Sequence, residues 1–558
     1  MAPNGGNAIT FTEVDDLNNP VSTFIYSELH SEPSSRDGLR NGIEGRVDIA
    51  HSSSASTPWS VKSLQNLLID VFLPTGYPHS VSEDYIPYQL FDSLQAFSSS
   101  IAGLLSSRAV LQGVGVGNAD ASPTSALLLH ILQDTSGRIA TILFAHRVGT
   151  ALEPECKMYR FAADIFNDLA MVLDCLSPMI PAGVSRVTVL SAAGVLRALC
   201  GVAGGSSKAS LSAHFAKWGN LAEVNAKDSS QETVISLVGM LVGSLVVSHI
   251  TSFTATWLTL LALLTLHLSL NYAAVRSVQM TTLNRQRANI VFSSMLSSDA
   301  SFAALQTSTL SQEQSGGAVA DHQTNPRKLR PQAQQKPLLQ TPSPADVSRQ
   351  ERIFDASSLL KWYPHHTPHL HSDGQVQAAP APEALGKCEI GVSLGQFMAT
   401  SSSPTSSGSL KTALPLATLA SLFSDEDYIL VFTFPQGRRG RGSAKILLKQ
   451  HATSKTHLKA WMHALLAARL CTDEHATCVS SPSLSSSKQQ GVREKERNSS
   501  STDERIIAIL EKTLRFLNEF SRFEGYIEAL RDAGWEVDGD AGVSALETRI
   551  ERRVVVVS

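Results

Sequence analysis

Charged residues are scarce in this sequence. Asp, Glu, Lys and Arg make up 17% of the 558 residues, and hydrophobic residues make up 43%, whereas the usual charged share is about 25%. So little charge in a chain of this length indicates apolar surface hidden in a large core or in lipid, and the length indicates more than one domain. The net charge of −4 excludes a global field that would attract nucleic acid or an anionic membrane surface.

Cysteine is also scarce. The six cysteines are scattered and none forms a C-x-x-C pair, so the spacing indicates neither a disulfide framework nor a zinc site and fits a reducing, intracellular setting. The N-terminus lacks a basic segment followed by an apolar run and carries Glu13, Asp15 and Asp16. It is therefore typical of neither a secretory signal nor a simple mitochondrial presequence, and we expect membrane insertion through internal segments.

Motifs of the common enzyme classes are missing as well. The sequence holds no nucleophile elbow, P-loop, H-E-x-x-H helix or aromatic-basic platform for nucleic acid. The G-V-G-V-G run at 113–117 has the wrong spacing for a dinucleotide loop and predicts a helix end or close packing. Four histidines lie in a Pro-rich segment without a carboxylate framework and predict a solvated linker rather than a metal site: His365, His366, His369 and His371.

Composition divides the chain into segments. An apolar segment with few prolines is flanked by Ser-, Gln- and Pro-rich stretches whose low hydrophobicity predicts disorder. The predicted order is a disordered region over 1–58, a helical membrane domain over 59–290, a linker over 300–385, an α+β module over 386–535 with inserts at 401–409 and 480–502, and a tail over 536–558. The predicted fold class is therefore mainly α, with a helical membrane domain and a small C-terminal α+β module.

Periodicity places the elements. We expect helices at Tyr85–Ser107, Ser122–Gly149, Pro154–Leu176, Ser185–Ala203 and within Ser230–Arg276. In the C-terminal module, we expect strands at Tyr428–Phe434 and Ala444–Lys449 joined by a Gly/Arg turn, and helices at His457–Leu470 and Asp503–Ala533.

The clearest membrane signal is the run from Thr233 to Val275, which contains 43 residues and no Asp, Glu, Lys or Arg. One span needs about 20 apolar residues, so the run predicts two spans, Thr233–Ile250 and Phe253–Ala274, with a tight connection between them. The alternative is a pair of buried helices in a soluble protein, but soluble helices normally show a polar face. Lysines before the run and arginines after it place both ends on the cytoplasmic or matrix side.

Other segments are less apolar. Ala126–Leu143 is interrupted by Asp134 and Arg138, and Val187–Gly205 contains Arg197. Each is either a membrane helix with functional charges or a soluble helix beside the hairpin. Within the first predicted span, Gly239 and Gly243 form a G-x-x-x-G pair, a spacing that lets helices approach closely in lipid.

Candidate ligand-binding residues come from two polar groups. Lys157, Arg160, Asp164 and Asp168 fall within an arc of roughly 80° on one helix face; they form either a solvated stripe or a polar lining that binds an anionic ligand or relays protons. A second group precedes the first predicted span, where Ser229 and Glu232 also match a capping box. The candidates are Lys157, Arg160, Asp164, Asn167, Asp168, Asp134, Lys208, Asn225, Gln231 and Glu232, with no catalytic or metal-ligating residue among them.

The central segment resembles the root UVB sensitive family, a domain long without an assigned function. The resemblance covers roughly residues 60–290 and is carried by F-L-P-T-G-Y-P-H-S-V at 72–81, Asp84–Tyr85, D-S-L-Q at 92–95, G-V-G at 115–117, Asp134, Gly137, K-M-Y-R-F-A-A-D-I-F-N-D at 157–168, S-Q-E-T at 230–233 and N-Y-A-A-V-R at 271–276. The C-terminal module, ending near Trp535, is similar to the tail of that family.

The resemblance implies links to vitamin B6 homeostasis and UV-B responses, and no catalytic activity defines the family. Together with the uncharged run, this favours a non-enzymatic intracellular membrane protein. Three hypotheses stay open: a helical domain that binds a small molecule or protein partner, a carrier of a small anionic metabolite, and a vitamin B6-related enzyme using Lys157 or Lys208. The expected partners are a membrane, a family-member homo- or hetero-oligomer and a small molecule, but not nucleic acid. The cofactor is unknown.

Overall fold

A computed structural model of the protein describes residues 8–14, 20–29, 44–50, 61–113, 123–314, 339–355, 357–364, 381–398, 402–404, 410–412, 415–433, 442–480, 493–538, 546 and 553–555. Within these residues the chain is mainly helical, with a helical domain followed by a module that combines helices with a small sheet. The predicted fold class is confirmed.

The N-terminal region contains an antiparallel sheet of β1 (Ala8–Val14), β2 (Pro20–Leu29) and β3 (Glu44–Ala50). The central strand β2 places Phe24 opposite Phe11 on one side and Ile49 on the other. The predicted disordered region over 1–58 therefore contains these three strands. The Ser-rich composition concealed three runs of β-branched and aromatic residues, which favour strands.

Seven helices make up the described part of the helical domain. Predicted boundaries agree to within a few residues for most of them, but α5 continues twelve residues past the predicted end at Ala203, through glycines and serines of weak helix propensity that packing holds in place. The helices are α1 (Val61–Phe72), α2 (Tyr85–Gly113), α3 (Pro123–Val148), α4 (Cys156–Leu176), α5 (Val184–Phe215), α6 (Leu221–His249) and α7 (Phe253–Ser277).

Helices α6 and α7 form the predicted hairpin. Ser252 caps α7 by accepting a hydrogen bond from the Ala255 backbone N–H at 3.2 Å. Helix α6 packs against α2 at Gly239 and Gly243. A Cβ at Gly239 would lie 2.8 Å from Ser100 Cβ, and one at Gly243 would lie 2.8 Å from Leu104 Cδ1. The G-x-x-x-G spacing therefore serves a contact between helices of the same domain.

Among the residues that the structure describes, three helices are long and apolar enough to cross a membrane: α5, α6 and α7. In the most apolar stretch of 18 residues of each helix, the share buried within the protein is only 17% in α5, 11% in α6 and 33% in α7. The outward faces carry large apolar side chains such as Leu241, Leu245 and Leu258, each more than 60% exposed. An exposed apolar surface of this extent is typical of contact with lipid or with another protein.

The C-terminal module is built around a mixed sheet. Its strands are β4 (Leu359–Trp362), β5 (Glu383–Ile390), β8 (Tyr428–Thr433), β9 (Gly442–Lys449) and β10 (Arg553–Val554), beside a separate hairpin of β6 (Ser402–Pro404) and β7 (Leu410–Thr412). Strand β9 is central: β8 pairs with it antiparallel, and β5 and β10 pair with it in parallel, while β4 extends the sheet beyond β5.

Helices cover this sheet and share its core. Trp461 of α13 is fully buried, and its indole N–H donates to Asn289 Oδ1 of α8 at 3.0 Å. The helices are α8 (Arg285–Ser298), α9 (Ala300–Gln314), α10 (Pro344–Gln350), α11 (Leu394–Met398), α12 (Leu416–Leu422), α13 (Ser454–Ser480), α14 (Arg493–Asn518) and α15 (Arg522–Asp532).

The core of this module begins earlier in the chain than predicted. It includes Leu283, Phe292 and Phe302 together with Trp461 and Leu546. The predicted linker over 300–385 therefore contains structured segments, because α9, α10 and β4 lie within it and bury apolar residues such as Leu360. Likewise β6 and the start of α14 fall within the predicted inserts at 401–409 and 480–502, and β10 brings the predicted tail into the sheet. The histidines at 365–371 and the glycines at 115 and 117 lie outside the described residues.

Candidate functional site

Helix α4 buries its polar face. Lys157, Arg160, Asp164 and Asp168 are each less than 9% exposed, whereas Leu169 on the opposite face is 48% exposed. This is the reverse of an ordinary surface helix, whose apolar stripe faces the core. The prediction that these four side chains share one face is consistent with this geometry, and of its two alternatives the solvated stripe is wrong.

Arg160 is the centre of a buried cluster. Its guanidinium donates to Asp92 Oδ1 of α2 at 2.6 Å, to Asp164 Oδ2 at 2.8 Å and to the Tyr88 hydroxyl at 3.3 Å. Two carboxylates therefore already neutralise this arginine, and each of its three side-chain nitrogens donates to a neighbouring oxygen. An anionic ligand would have to displace one of them in order to bind Arg160.

Helix α7 completes the cluster from the other side. The imidazole of His267 lies 2.7 Å from Asp168 Oδ1 through Nδ1 and 3.8 Å from Asp164 Oδ2 through Nε2. Asn271, one turn further along α7, donates its amide N–H to Asp164 Oδ2. His267 and Asn271 are both almost completely buried.

Two acceptors in this cluster have no partner. Asp168 Oδ2 and Asn271 Oδ1 are buried and receive no hydrogen bond from any residue that the structure describes. Buried acceptors are nearly always satisfied, and an exception points to a missing water, ion or ligand group that donates. The charges agree, because three carboxylates, Asp92, Asp164 and Asp168, lie around one arginine. Among the described residues, no group of His, Cys, Asp and Glu has the geometry to hold a metal ion.

A second polar cluster lies between α5 and α6. Lys208 Nζ pairs with Asp228 Oδ2 at 2.7 Å and with Glu232 Oε2 at 2.6 Å. Gln89 of α2 donates to Asp228 Oδ1 at 2.9 Å and to Gln231 Oε1 at 3.1 Å. Glu232 is half-exposed, so this cluster reaches the surface while Asp228 is buried.

A small cavity lies where the two clusters approach each other. Its lining includes Gln89, Lys208 and Asp228 of the second cluster and Tyr88 of the first, and the rest of the lining is mainly apolar. Its size is close to the minimum for holding one water molecule. Tyr88 also accepts a hydrogen bond from Arg160, so both clusters contribute polar side chains to this cavity.

Lys157 belongs to a third cluster, where the helical domain meets the C-terminal module. Lys157 Nζ donates to Glu351 Oε2 at 2.7 Å, and Arg287 Nη1 donates to Glu351 Oε1 at 2.7 Å. Burial alone raises the pKa of Glu351, but the charges of Arg287 and Lys157 outweigh it and hold the pKa below its ordinary value. Nearby, burial raises the pKa of Glu155 from 4.5 to about 7, only partly offset by the charge of Arg287.

The remaining candidates are dispersed. Asn225 accepts a hydrogen bond from Ser212 at 2.8 Å, and Asn167 donates to Ser99 at 3.4 Å. Asp134 lies on the outer surface of α3, paired with Arg138 at 2.9 Å. Asp134 is therefore part of none of the three clusters.

Comparison with known proteins identifies both parts of the chain. A family profile described as "Vitamin B6 photo-protection and homoeostasis domain" matches residues 58–299, and one described as "Root UVB sensitive protein, C-terminal" matches residues 407–541. The chain belongs to the root UVB sensitive family.

Curated relatives align with its central part. RUS family member 1 of Dictyostelium discoideum is 46% identical over 231 residues, which are 41% of this chain and 44% of that protein. Protein root UVB sensitive 3 of Arabidopsis thaliana is 36% identical over 248 residues, 44% of this chain and 56% of the relative. The chain thus spans about half the length of these relatives. No solved structure matches it.

Every residue of the two clusters in the helical domain lies within the matched root UVB sensitive segment. Glu351, in contrast, lies between the two matched regions. Several cluster members were not among the predicted site residues: Tyr88, Gln89, Asp92, Asp228, His267 and Asn271. One signal could have identified His267, because it is one of two imidazoles, with His249, in a 43-residue run without Asp, Glu, Lys or Arg.

Proposed function

We propose that this root UVB sensitive protein is an integral protein of an intracellular membrane, without enzymatic activity, whose helical domain binds a small cationic or hydrogen-bond-donating molecule. The observation that carries the proposal is the buried cluster around Arg160, which combines an excess of carboxylates with the unpartnered acceptors of Asp168 and Asn271. Ionisable side chains within a membrane domain are expensive, and they commonly mark a ligand or ion pathway.

The charge of the cluster favours a cation over an anion. A buried excess of negative charge is costly unless a positive group or a proton compensates it. A ligand ammonium would supply both the missing charge and donors for Asp168 Oδ2 and Asn271 Oδ1. A phosphate ester would meet three carboxylates with its own negative charge.

The family description suggests which molecules to test. The family description of the domain matched over residues 58–299 names the photo-protection and homoeostasis of vitamin B6. Among the forms of vitamin B6, pyridoxamine carries an ammonium group, whereas pyridoxal phosphate carries a phosphate. The acidic cluster supports the amine form as ligand, and we propose a role in vitamin B6 homeostasis through such binding.

Membrane integration is tested by alkaline carbonate extraction of membranes from cells that produce the full chain. The apolar, outward-facing surfaces of α5, α6 and α7 predict that the protein stays in the membrane pellet. Recovery of the protein in the soluble fraction would overturn this part of the proposal.

Ligand binding is tested by thermal unfolding of detergent-purified protein with pyridoxamine or pyridoxal phosphate. Pyridoxamine should raise the midpoint for the wild type, and Asp168→Asn should abolish that rise because it removes the charge beside His267. Glu153→Gln, an exposed carboxylate just before α4, is the matched control and should leave the rise unchanged. Stabilisation by pyridoxal phosphate alone would contradict a cation site.

A carrier is the second candidate, and one observation favours it. The cluster that contains the half-exposed Glu232 and the cluster that contains the buried Asp168 both contribute side chains to the small cavity, as expected for part of a transport path. Uptake of labelled pyridoxamine into vesicles containing the protein, lost in Arg160→Ala, would support a carrier. Binding without uptake would leave the first proposal. No observation favours an enzyme, because Lys157 and Lys208 are both held in ion pairs.

A further inference from the structure

The outer face of α3 combines apolar side chains with one ion pair. Four of its residues follow one another at spacings of three and four and therefore lie on one stripe of the helix, the α3 stripe: Ile131, Asp134, Arg138 and Ile142. Their side chains are all exposed, and Ile142 is 68% exposed. Neighbouring positions on this surface are also apolar and exposed: Leu127, Leu128, Leu132, Ile139 and Leu143.

This stripe lies at the depth of the α5 span. Gly137 of α3 is close enough to α5 that a Cβ there would lie 3.4 Å from Ala198 Cβ and 3.5 Å from the Gly194 carbonyl oxygen. Gly194 and Ala198 are near the middle of α5, one of the three helices able to cross a membrane. The Asp134–Arg138 pair is therefore close to the middle of the apolar layer, on the side that faces away from the protein.

Lipid is an unsuitable neighbour for such a pair. Charged side chains at this depth almost always face the interior of a bundle or a polar partner, because hydrocarbon solvates them poorly. The described part of the helical domain offers no such cover, since the pair is 54% and 77% exposed at Asp134 and Arg138. The stripe as a whole, with spacings of three, four and four residues, has the periodicity of a helix–helix seam.

We propose that a second copy of this chain covers the α3 stripe. Two copies inserted in the same direction are related by an axis along the membrane normal, so their α3 helices run parallel. Asp134 of each copy then lies about one helical turn from Arg138 of the other, a distance that ion pairs across parallel helices commonly span. The stripe carries both signs of charge and is self-complementary, as a two-fold interface requires.

The inference rests on the membrane integration proposed above. Carbonate extraction tests that point separately, so release of the protein from membranes would remove the basis for the dimer, whereas a monomer that stays in the membrane would overturn the dimer alone.

Charge exchange tests the interface. Copies labelled with donor or acceptor fluorophores are reconstituted in lipid vesicles, and energy transfer is measured at increasing dilution in lipid. The wild type should show transfer, and Asp134→Arg or Arg138→Asp alone should weaken association by about tenfold or more, because like charges then face each other.

A mixture of the two variants distinguishes this contact from a folding defect. Each variant has lost its own Asp134–Arg138 pair, yet opposite charges meet only between an Asp134→Arg copy and an Arg138→Asp copy. Transfer should therefore return in the mixture. No transfer in the wild type, unchanged transfer in either variant alone, or no return in the mixture would each overturn the proposal.

Cross-linking provides the spatial control. Ile142→Cys lies on the α3 stripe and Leu241→Cys lies on the lipid-exposed face of α6, at similar exposures of 68% and 62%. Oxidation in membranes should link two Ile142→Cys copies and leave Leu241→Cys at the wild-type background. Equal linkage at both positions would contradict a specific α3 interface.

Discussion

Lys157 of α4 donates a hydrogen bond to Glu351, a residue that follows it by 194 positions in the sequence and lies beside the C-terminal module. Arg287 approaches the same carboxylate from α8. The guanidinium of Arg276, at the end of α7, adds hydrogen bonds to the backbone carbonyls of Ser348 and Arg349. The two parts of the protein are therefore joined by buried charge as well as by chain connectivity.

Glu351→Ala should loosen this junction. It leaves Lys157 and Arg287 buried without their counter-charge, and breaking a buried ion pair from one side costs about 3 to 5 kcal/mol. We expect a lower thermal midpoint in detergent and faster proteolysis between the helical domain and the C-terminal module. Glu528→Ala, an exposed carboxylate on α15, should have little effect, and equal effects of both substitutions would argue against the junction.

Glu155 should make stability depend on pH. Its pKa is raised from 4.5 to about 7 by burial. At pH values between these two pKa values, the folded protein therefore holds a proton that the unfolded chain releases. Stability should fall as pH rises from about 5 to 7, by at most about 3 kcal/mol, and should change little from this source above pH 7. Glu155→Gln should flatten unfolding curves measured from pH 5 to 8, and an unchanged slope would contradict this account.

Gly239→Ala should disturb the contact between α6 and α2. The added Cβ would lie 2.8 Å from Ser100 Cβ and 3.0 Å from the Phe97 carbonyl oxygen, so the helices must separate. Gly201→Ala on α5 meets no atom within 4 Å and is the matched control. Thermal unfolding should show a loss of about 1 to 3 kcal/mol for Gly239→Ala only.

Arg160→Met should destabilise the helical domain by about 3 to 5 kcal/mol, because Asp92 and Asp164 then face each other without a counter-charge. Adding Asp92→Asn and Asp164→Asn to the same protein should recover part of the loss, since the amides remove the repulsion. Thermal unfolding of the single and triple variants measures both effects. No recovery in the triple variant would show that Arg160 acts through its shape or neutral hydrogen bonds.

Much of the helical domain could be predicted from the sequence. The hairpin of α6 and α7 follows from a run without charge that is twice the length of one span, and Ser252 marks the turn. The shared face of Lys157, Arg160, Asp164 and Asp168 follows from helical spacing. The side of α4 that faces inward does not follow from the spacing, because a charged stripe is ordinarily solvated. Its burial is tolerable only because α2 and α7 supply a carboxylate and an imidazole as partners.

The C-terminal module was harder to delimit for a different reason. Its core combines Leu283 and Phe302 with residues near Trp461 and Leu546, and such pairings over long stretches of chain leave no local periodicity. The Ser- and Gln-rich stretches between them concealed β4 and α10. Similarly, the Asp168–His267 contact joins residues 99 positions apart, and local spacing carries no information about it.

The early start of the C-terminal core also bears on how the protein is made. Residues of α8 leave the ribosome directly after the α6–α7 hairpin, yet their packing partners Trp461 and Phe516 are synthesised more than 150 residues later. Until then the apolar side chains of α8, including Phe292 and Met295, lack these core partners, and they follow directly after the apolar α6–α7 hairpin in the chain. The C-terminal core therefore cannot close until the last of its segments has been synthesised.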